Sequence, residues 1–176
     1  IARASGLVAF PRTRALRGVV SFQHGTATAR TAAPSTPDPN NGVVAAAVFA
    51  GHGYLLVAPD YLGLGASVEP HPYYHAESTA NAVVDLLRAS REVVGAAGLA
   101  WPDALFLAGF SQGGHATLAA QRALETHPSD GLRVRASASL AGPFDLAGIG
   151  FPYALEGRSR FASLYIAWIA SSYARI

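Results

Sequence analysis

The chain predicts an α/β fold with a mainly parallel sheet and flanking helices, and three observations carry that prediction. Short apolar runs alternate with longer segments of helical periodicity along the chain. The central runs, LLVA from Leu55 and LFLAGF from Leu105, are near-continuous, as in strands buried on both faces. Apolar residues make up 51% of the 176 and charged ones only 14%, the composition of one globular domain and not of a disordered tail.

Strands are expected over Gly6–Phe10, Gly18–Phe22, Tyr54–Pro59, Ala104–Phe110 and Arg133–Leu140. An Ala/Val-rich helix over Gly42–Gly51 is stopped by Gly51 and Gly53. The segment Glu77–Val94 sets Ala80, Val83, Val84, Leu87 and Val94 on one helical face. A third helix, Gly113–Thr126, leaves the fourth strand after a very short turn. A fourth, Phe161–Ile176, carries Phe161, Leu164, Tyr165, Trp168 and Ile169 as a broad apolar stripe; left uncovered, it would favour self-association. The Pro-rich stretch from Thr31 to Asn41 is expected as a surface loop inside one domain.

Composition narrows the chemistry. A net charge of +2 is too small for charge-driven nucleic-acid binding, so no nucleic-acid partner is expected. Every basic residue is Arg, which removes a phosphate-loop lysine, a Schiff base and a Ser–Lys dyad. With no Cys there is no disulfide, thiolate metal site or Cys nucleophile, and a nucleophile has to be a hydroxyl. The most apolar stretch, Phe161 to Ala170, falls short of the roughly 18–20 residues that span a bilayer. The chain starts at Ile1 and holds no Met, from which we expect a piece of a longer protein; no signal pattern is visible in its first residues.

The chemistry-bearing motif is Gly109-Phe110-Ser111-Gln112-Gly113. A buried-type strand runs into it and a helix pattern leaves it, the setting a nucleophile elbow requires. There the Ser adopts a strained backbone that exposes its hydroxyl, while Gly109 and Gly113 let strand and helix approach closely. The following helix aims its N–H groups and positive dipole end at the site. The plainer reading is a Gly-rich turn with a capping Ser. A second loop, Gln23-His24-Gly25-Thr26, follows the strand Gly18–Phe22. In acyl-transfer sites of this kind one oxyanion donor is the N–H after the nucleophile, here Gln112, and the other comes from an earlier strand–helix loop. Thr26 N–H is the expected second donor, with Gly25 letting the backbone approach substrate. His24 is expected to shape the loop.

Other features are weaker. The turn after Ala58-Pro59-Asp60 lacks the third Gly of a dinucleotide fingerprint, so Asp60 is expected to hold nearby backbone N–H groups. Pro72 spoils His71 and His75 as a helical metal pair, and the segment His71–His75 is expected to be a packed loop or a Tyr-rich pocket rim. His115, one turn after Ser111, is expected to be structural. Asp145 suits a triad acid by position, although a loop cap is the simpler role. Neither a metal nor a cofactor is called for.

Taken together, these motifs resemble the α/β-hydrolase superfamily, and more closely the secretory-lipase-like serine esterases. The resemblance rests on QHGT (Gln23–Thr26), APDYLGLGAS (Ala58–Ser67), HPYYHAES (His71–Ser78), NAVVDLLRASR (Asn81–Arg91), GFSQGGH (Gly109–His115) and AGPFDL (Ala141–Leu146), in the family's order. It implies an eight-stranded, mostly parallel sheet, hydrolysis of small-molecule or lipid esters through an acyl-enzyme on Ser111, no cofactor, and a secreted or periplasmic setting. It also implies that residues 1–146 are the N-terminal part of the catalytic domain and 147–176 the start of a helical cap. The family places its acid and His after the nucleophile, whereas only His115 and His127 follow Ser111 here, and His127 lies about 24 Å up the helix. The segment alone is therefore expected to be nearly inactive. A peptidase, thioesterase or acyltransferase of the same fold, or a non-catalytic hydrolase-like binding protein, are the competing readings.

Overall fold

The structure, a computed structural model, describes residues 2–13, 15–37, 42–128, 131–157 and 160–175. Strands β1 (Gly6–Ala9), β2 (Val19–Gln23), β3 (Leu55–Pro59), β4 (Leu105–Phe110) and β5 (Val134–Leu140) form one sheet in the order β1-β3-β2-β4-β5. β1 runs antiparallel to β3 and every other neighbouring pair is parallel. The helices are α1 (Val44–Phe49), α2 (Ala76–Ala96), α3 (Gln112–Thr126), α4 (Phe151–Leu155) and α5 (Ala162–Tyr173). All five expected strands and all four expected helices are present. The helix expected to reach Ile176 ends at Tyr173, and Ile176 and residues 38–41 of the Pro-rich stretch lie outside the described residues. Where the resemblance implies eight strands, the described residues form five.

One short helix was not legible in the sequence. The segment Leu146–Gly150 is a π turn that runs into α4. Its two glycines and Pro152 look like helix breakers, but Pro152 stands in the first turn of α4, where a missing N–H costs nothing.

Side chains of β3 alternate between two cores, which places helices on both faces of the sheet. Leu55 and Val57 join Val83, Leu87 and Val94 of α2 and Ala116, Ala120 and Leu124 of α3. Leu56 and Ala58 pack on Ala45 and Phe49 of α1. Full burial of a side chain such as Leu87 contributes about 1.5–3 kcal/mol. The expectation that LFLAGF is buried on both faces is corrected: β4 alternates, and Phe110 is 60% exposed. The reason is that α1 packs its apolar side over β3, so it shelters that strand and leaves β4 and β5 more open. The stripe on α5 is also split. Ile169 and Trp168 pack against Tyr73 and Tyr74, while Phe161 and Leu164 face solvent. Among the described residues no helix is long and apolar enough to cross a membrane.

Neighbouring strands β2 and β4 send their connections to opposite faces, towards α1 and α3 respectively. Such a reversal opens a crevice at the carboxyl ends of the strands, the usual ligand position in open α/β sheets. The N-terminus of α3 is pressed into that crevice. A Cβ at Gly113 would overlap the Gln23 carbonyl, and one at Gly114 would overlap the Leu140 carbonyl. By contrast, nothing lies within 4 Å of a Cβ added at Gly95 in α2. Gly113→Ala should therefore cost roughly 1–3 kcal/mol by overpacking, and Gly95→Ala should be neutral or stabilise by up to about 1 kcal/mol. Urea-unfolding midpoints decide this, and equal midpoints for the two variants would refute the close-packing account.

Candidate active site

Ser111 follows β4 directly and has φ 58° and ψ −120°, a backbone region that L-residues rarely occupy. Strain of this kind costs about 1–3 kcal/mol and persists only where the surroundings impose it. Here they do. Ser111 N–H donates to the Leu140 carbonyl at the end of β5 (2.9 Å), and Ser111 C=O accepts from Gly114 N–H (2.9 Å). A Cβ at Gly109 would overlap the Gly113 carbonyl, so both flanking glycines serve the turn. Ser111 opens on a cavity of about 590 Å³ whose walls include Tyr74, Leu146, Phe151, Tyr165 and Ile169 and carry no charged side chain.

The loop after β2 reaches the same place. The buried Gln23 amide links the hydroxyls of Ser21 (2.7 Å) and Thr117 (2.8 Å), tying the end of β2 to α3. A Cβ on Gly25 would lie 3.8 Å from Ser111 Cβ, an ordinary contact. The protein's own packing thus tolerates a side chain at Gly25, but that side chain would stand beside the Ser111 hydroxyl. His24 is fully buried and stacks on Tyr61, with ring centroids 4.4 Å apart. Its ring nitrogens face the carbonyls of Gly25 (2.7 Å) and Asp60 (3.2 Å), and the Tyr61 hydroxyl donates to the His24 carbonyl (3.2 Å). Burial pushes the His24 pKa down, which keeps the ring neutral. The Asp60 carboxylate accepts from Ser35 N–H (2.9 Å), from the Ser5 hydroxyl (2.6 Å) and from the Ser35 hydroxyl, holding backbone as expected of it.

Gln112 is the first residue of α3, so its N–H has no acceptor within the helix. Among the described residues neither Gln112 N–H nor Thr26 N–H makes a hydrogen bond. The structure therefore brings Ser111, Gln112, Gly25 and Thr26 to one crevice, with Gly109 and Gly113 beneath them. Two free N–H groups beside a strained, accessible hydroxyl can hold a developing oxyanion.

Two contacts were missed in the sequence. His71 Nδ1–H donates to the Leu62 carbonyl (2.7 Å), leaving Nε2 to accept from the Gln112 side-chain amide (2.9 Å). The Thr26 hydroxyl pairs with the Tyr73 hydroxyl (2.7 Å). Tyr74 forms part of the cavity wall beside Ser111, in keeping with the Tyr-rich rim expected as one reading of this segment. The only local sign of the two missed contacts was the aromatic cluster His71–His75, and the partners in them stand 41 and 47 positions away. The remaining candidates stand apart. Asp145 accepts from Gly148 N–H (2.7 Å) and caps the π turn. His75 caps α2, accepting from Ser78 N–H (3.4 Å). His115 packs its ring edgewise against Tyr74 (5.3 Å), and His127 is exposed at the far end of α3.

A family model described as secretory lipase matches residues 42–130. Among solved structures, a candidate hydrolase from Legionella pneumophila is 34% identical and covers 97% of this chain, with a TM-score of 0.89. A rice cell wall degrading esterase, LipA from Xanthomonas oryzae, is 30% identical over 99% of the chain (TM-score 0.80). Candida antarctica lipase A, 21% identical over 76% of the chain and 32% of its own length, shares the fold (TM-score 0.54). The chain spans 46% of the Legionella protein and 49% of LipA, less than half of each. No curated protein sequence matches it. On the family match, and on two structural relatives at 30% identity or more, this α/β-hydrolase chain belongs to the secretory lipase family.

Proposed function

We propose that the protein hydrolyses carboxylic esters through an acyl-enzyme on Ser111. The observation that carries this reading is the backbone of Ser111, held at φ 58° on the 24–26 loop's side, where a Cβ added at Gly25 would meet Ser111 Cβ at 3.8 Å. In this reading Ser111 Oγ attacks the ester carbonyl carbon, and the carbonyl π pair moves onto oxygen as the C–O bond forms. Thr26 and Gln112 N–H hold that oxyanion, and the tetrahedral intermediate then expels the alcohol, leaving the acyl group on Ser111. The Ser111 proton passes to an imidazole and from there to the departing alcohol oxygen. Among the described residues no histidine hydrogen-bonds to Ser111, so we assign base and acid to the part of the relatives' length that this chain does not span. Water then gives a proton to the same imidazole as it attacks the acyl carbon with the same oxyanion support. When the carbonyl re-forms, the C–Oγ bond breaks, Ser111 Oγ takes that proton back and the carboxylic acid is released. The uncharged walls of the cavity, Leu146, Phe151 and Ile169 among them, favour an apolar acyl group. We also propose that residues 147–176 begin a cap over this cavity, because α4 and α5 form its far wall.

A fluorophosphonate probe should label Ser111 in the full-length protein, and Ser111→Ala should abolish both labelling and turnover of p-nitrophenyl butyrate. Failure of the folded full-length protein to label would sink the reading. The 176-residue chain by itself should show almost no turnover; esterase activity in it, lost on Ser111→Ala, would refute the assignment of base and acid. Acid sensitivity follows from the histidines. Burial lowers the pKa of His24, His71 and His115 below the usual 6.5, so the unfolded chain takes up protons first as pH falls. Their contribution is intact above about pH 6.5 and is lost towards lower pH, by up to about 1.4 kcal/mol per pH unit for each group. Thermal midpoints should fall from about pH 7 to pH 5, and level midpoints across that range would contradict burial of neutral imidazoles.

A further inference from the structure

Tyr74 is a second strained residue at this crevice. Its φ of 59° lies in the left-handed region, which a residue with a Cβ enters at a cost of about 1–2 kcal/mol. In extended chain, consecutive side chains point to opposite sides. The left-handed turn instead brings the rings of Tyr73 and Tyr74 to the same side, with centroids 4.1 Å apart. Both hydroxyls then converge on the 24–26 loop. The Tyr73 hydroxyl sits 2.7 Å from Thr26 Oγ1, and Tyr74 lines the cavity together with Ser111, its phenol close to the side chains of Tyr73, Thr26 and Ser111. Tyr73 is fully buried behind, whereas Tyr74 is part of the cavity wall.

The segment is held firmly enough to fix that hydroxyl. Tyr73 N–H donates to Ser172 Oγ (3.1 Å), and the Tyr173 hydroxyl donates to the Tyr74 carbonyl (3.2 Å), both from α5. The Tyr74 ring rests on the edge of His115, and the neighbouring His71 is bonded to Gln112. Burial pushes the Tyr74 phenol pKa up, so the group stays protonated and able to donate. Tyr74 thus reaches from the residue that carries one oxyanion donor, Thr26, to the nucleophile itself.

We propose that the Tyr74 hydroxyl is a third hydrogen-bond donor to the acyl oxygen, beside the N–H groups of Thr26 and Gln112. This rests on the ester-hydrolase reading above. When Ser111 Oγ bonds to the carbonyl carbon and the π pair moves to oxygen, Tyr74 O–H donates to the new oxyanion and keeps its proton. When the carbonyl re-forms and the alcohol leaves, that hydrogen bond weakens again. Tyr73 and the Thr26 side chain orient the hydroxyl and are positioning residues.

The test is Tyr74→Phe in the full-length protein, which keeps the ring packing on His115 and Tyr73. On p-nitrophenyl butyrate, kcat should fall on the order of 10²-fold with KM changed less than about threefold, the pattern of a donor used in the transition state. The inhibition constant of an alkylboronic acid, whose tetrahedral adduct carries the oxyanion, should rise by a similar factor. A kcat within twofold of wild type at an unchanged Tm would overturn the proposal. Should Tyr74→Phe fail to fold, 2,3,5-trifluorotyrosine at position 74 keeps the shape and makes the phenol more acidic. A changed kcat then supports the proposal and an unchanged one overturns it. An inactive wild-type protein would remove the ester-hydrolase reading itself, whereas an active wild type with a silent Tyr74→Phe removes only this inference.

Discussion

The close approach of α3 to the ends of β2 and β5 is the constraint on which the site depends. It exists because Gly113 and Gly114 have no Cβ to collide with the carbonyls of Gln23 and Leu140. With the helix N-terminus that deep in the sheet, Gln112 N–H and the 24–26 loop come together from segments far apart in sequence. A donor misplaced by even 1 Å loses much of its effect on a developing charge. The glycines therefore matter for geometry at least as much as for stability. The same packing fixes Ser111, since its N–H is already committed to the Leu140 carbonyl.

Around that contact the fold buries several polar side chains along β2 and at the carboxyl ends of the central strands. Ser21, Gln23, His24, Asp60 and Gln112 are all buried there. An unpaired polar group in such a place costs about 1–3 kcal/mol. Ser21, Gln23, His24 and Asp60 are each hydrogen-bonded to other side chains or to the backbone, whereas the Gln112 side-chain oxygen has no partner among the described residues. Asp60 fastens the chain around Ser5 and Ser35, its carbonyl faces His24, and His24 is clamped beneath Tyr61. His71 holds the side chain of Gln112 from the other side. The 24–26 loop and the turn at Ser111 are thus braced independently, and neither brace uses the N–H groups of Thr26 and Gln112. Division of this kind lets the scaffold be rigid while those two N–H groups stay unpaired among the described residues.

Much of this was legible in the sequence, for identifiable reasons. Strand β3 and helices α2 and α3 declare themselves because their periodicity is local and their burial follows from it. The elbow was legible because strand, Gly-flanked Ser and helix are contiguous. The donor role proposed for Thr26 rests only on the expectation that a second donor arrives from an earlier loop. The contacts of His71 with Gln112 and of Tyr73 with Thr26 were not legible, because each joins residues more than 40 positions apart. Exposure of Phe110 was misjudged because an apolar run reports preference for burial, while the cover depends on where α1 settles.

Backbone strain draws the same boundary around the site without reference to any motif. Among the described residues four non-glycine residues have positive φ: Tyr61, Tyr74, Ser111 and Ala141. Three of them, Tyr74, Ser111 and Ala141, line the one cavity, and Tyr61 carries the His24 ring that shapes the loop beside it. None is at a surface hairpin, where left-handed residues are commonplace. At about 1–3 kcal/mol each, their combined strain approaches the whole net stability of an ordinary domain. A fold keeps such a concentration only where the surrounding contacts impose it. Here the contacts that do so run from β5 to Ser111, from α5 to Tyr74 and from Tyr61 to the His24 carbonyl, all around Ser111 and the 24–26 loop. Relieving any one of them would leave the sheet intact and blunt the site.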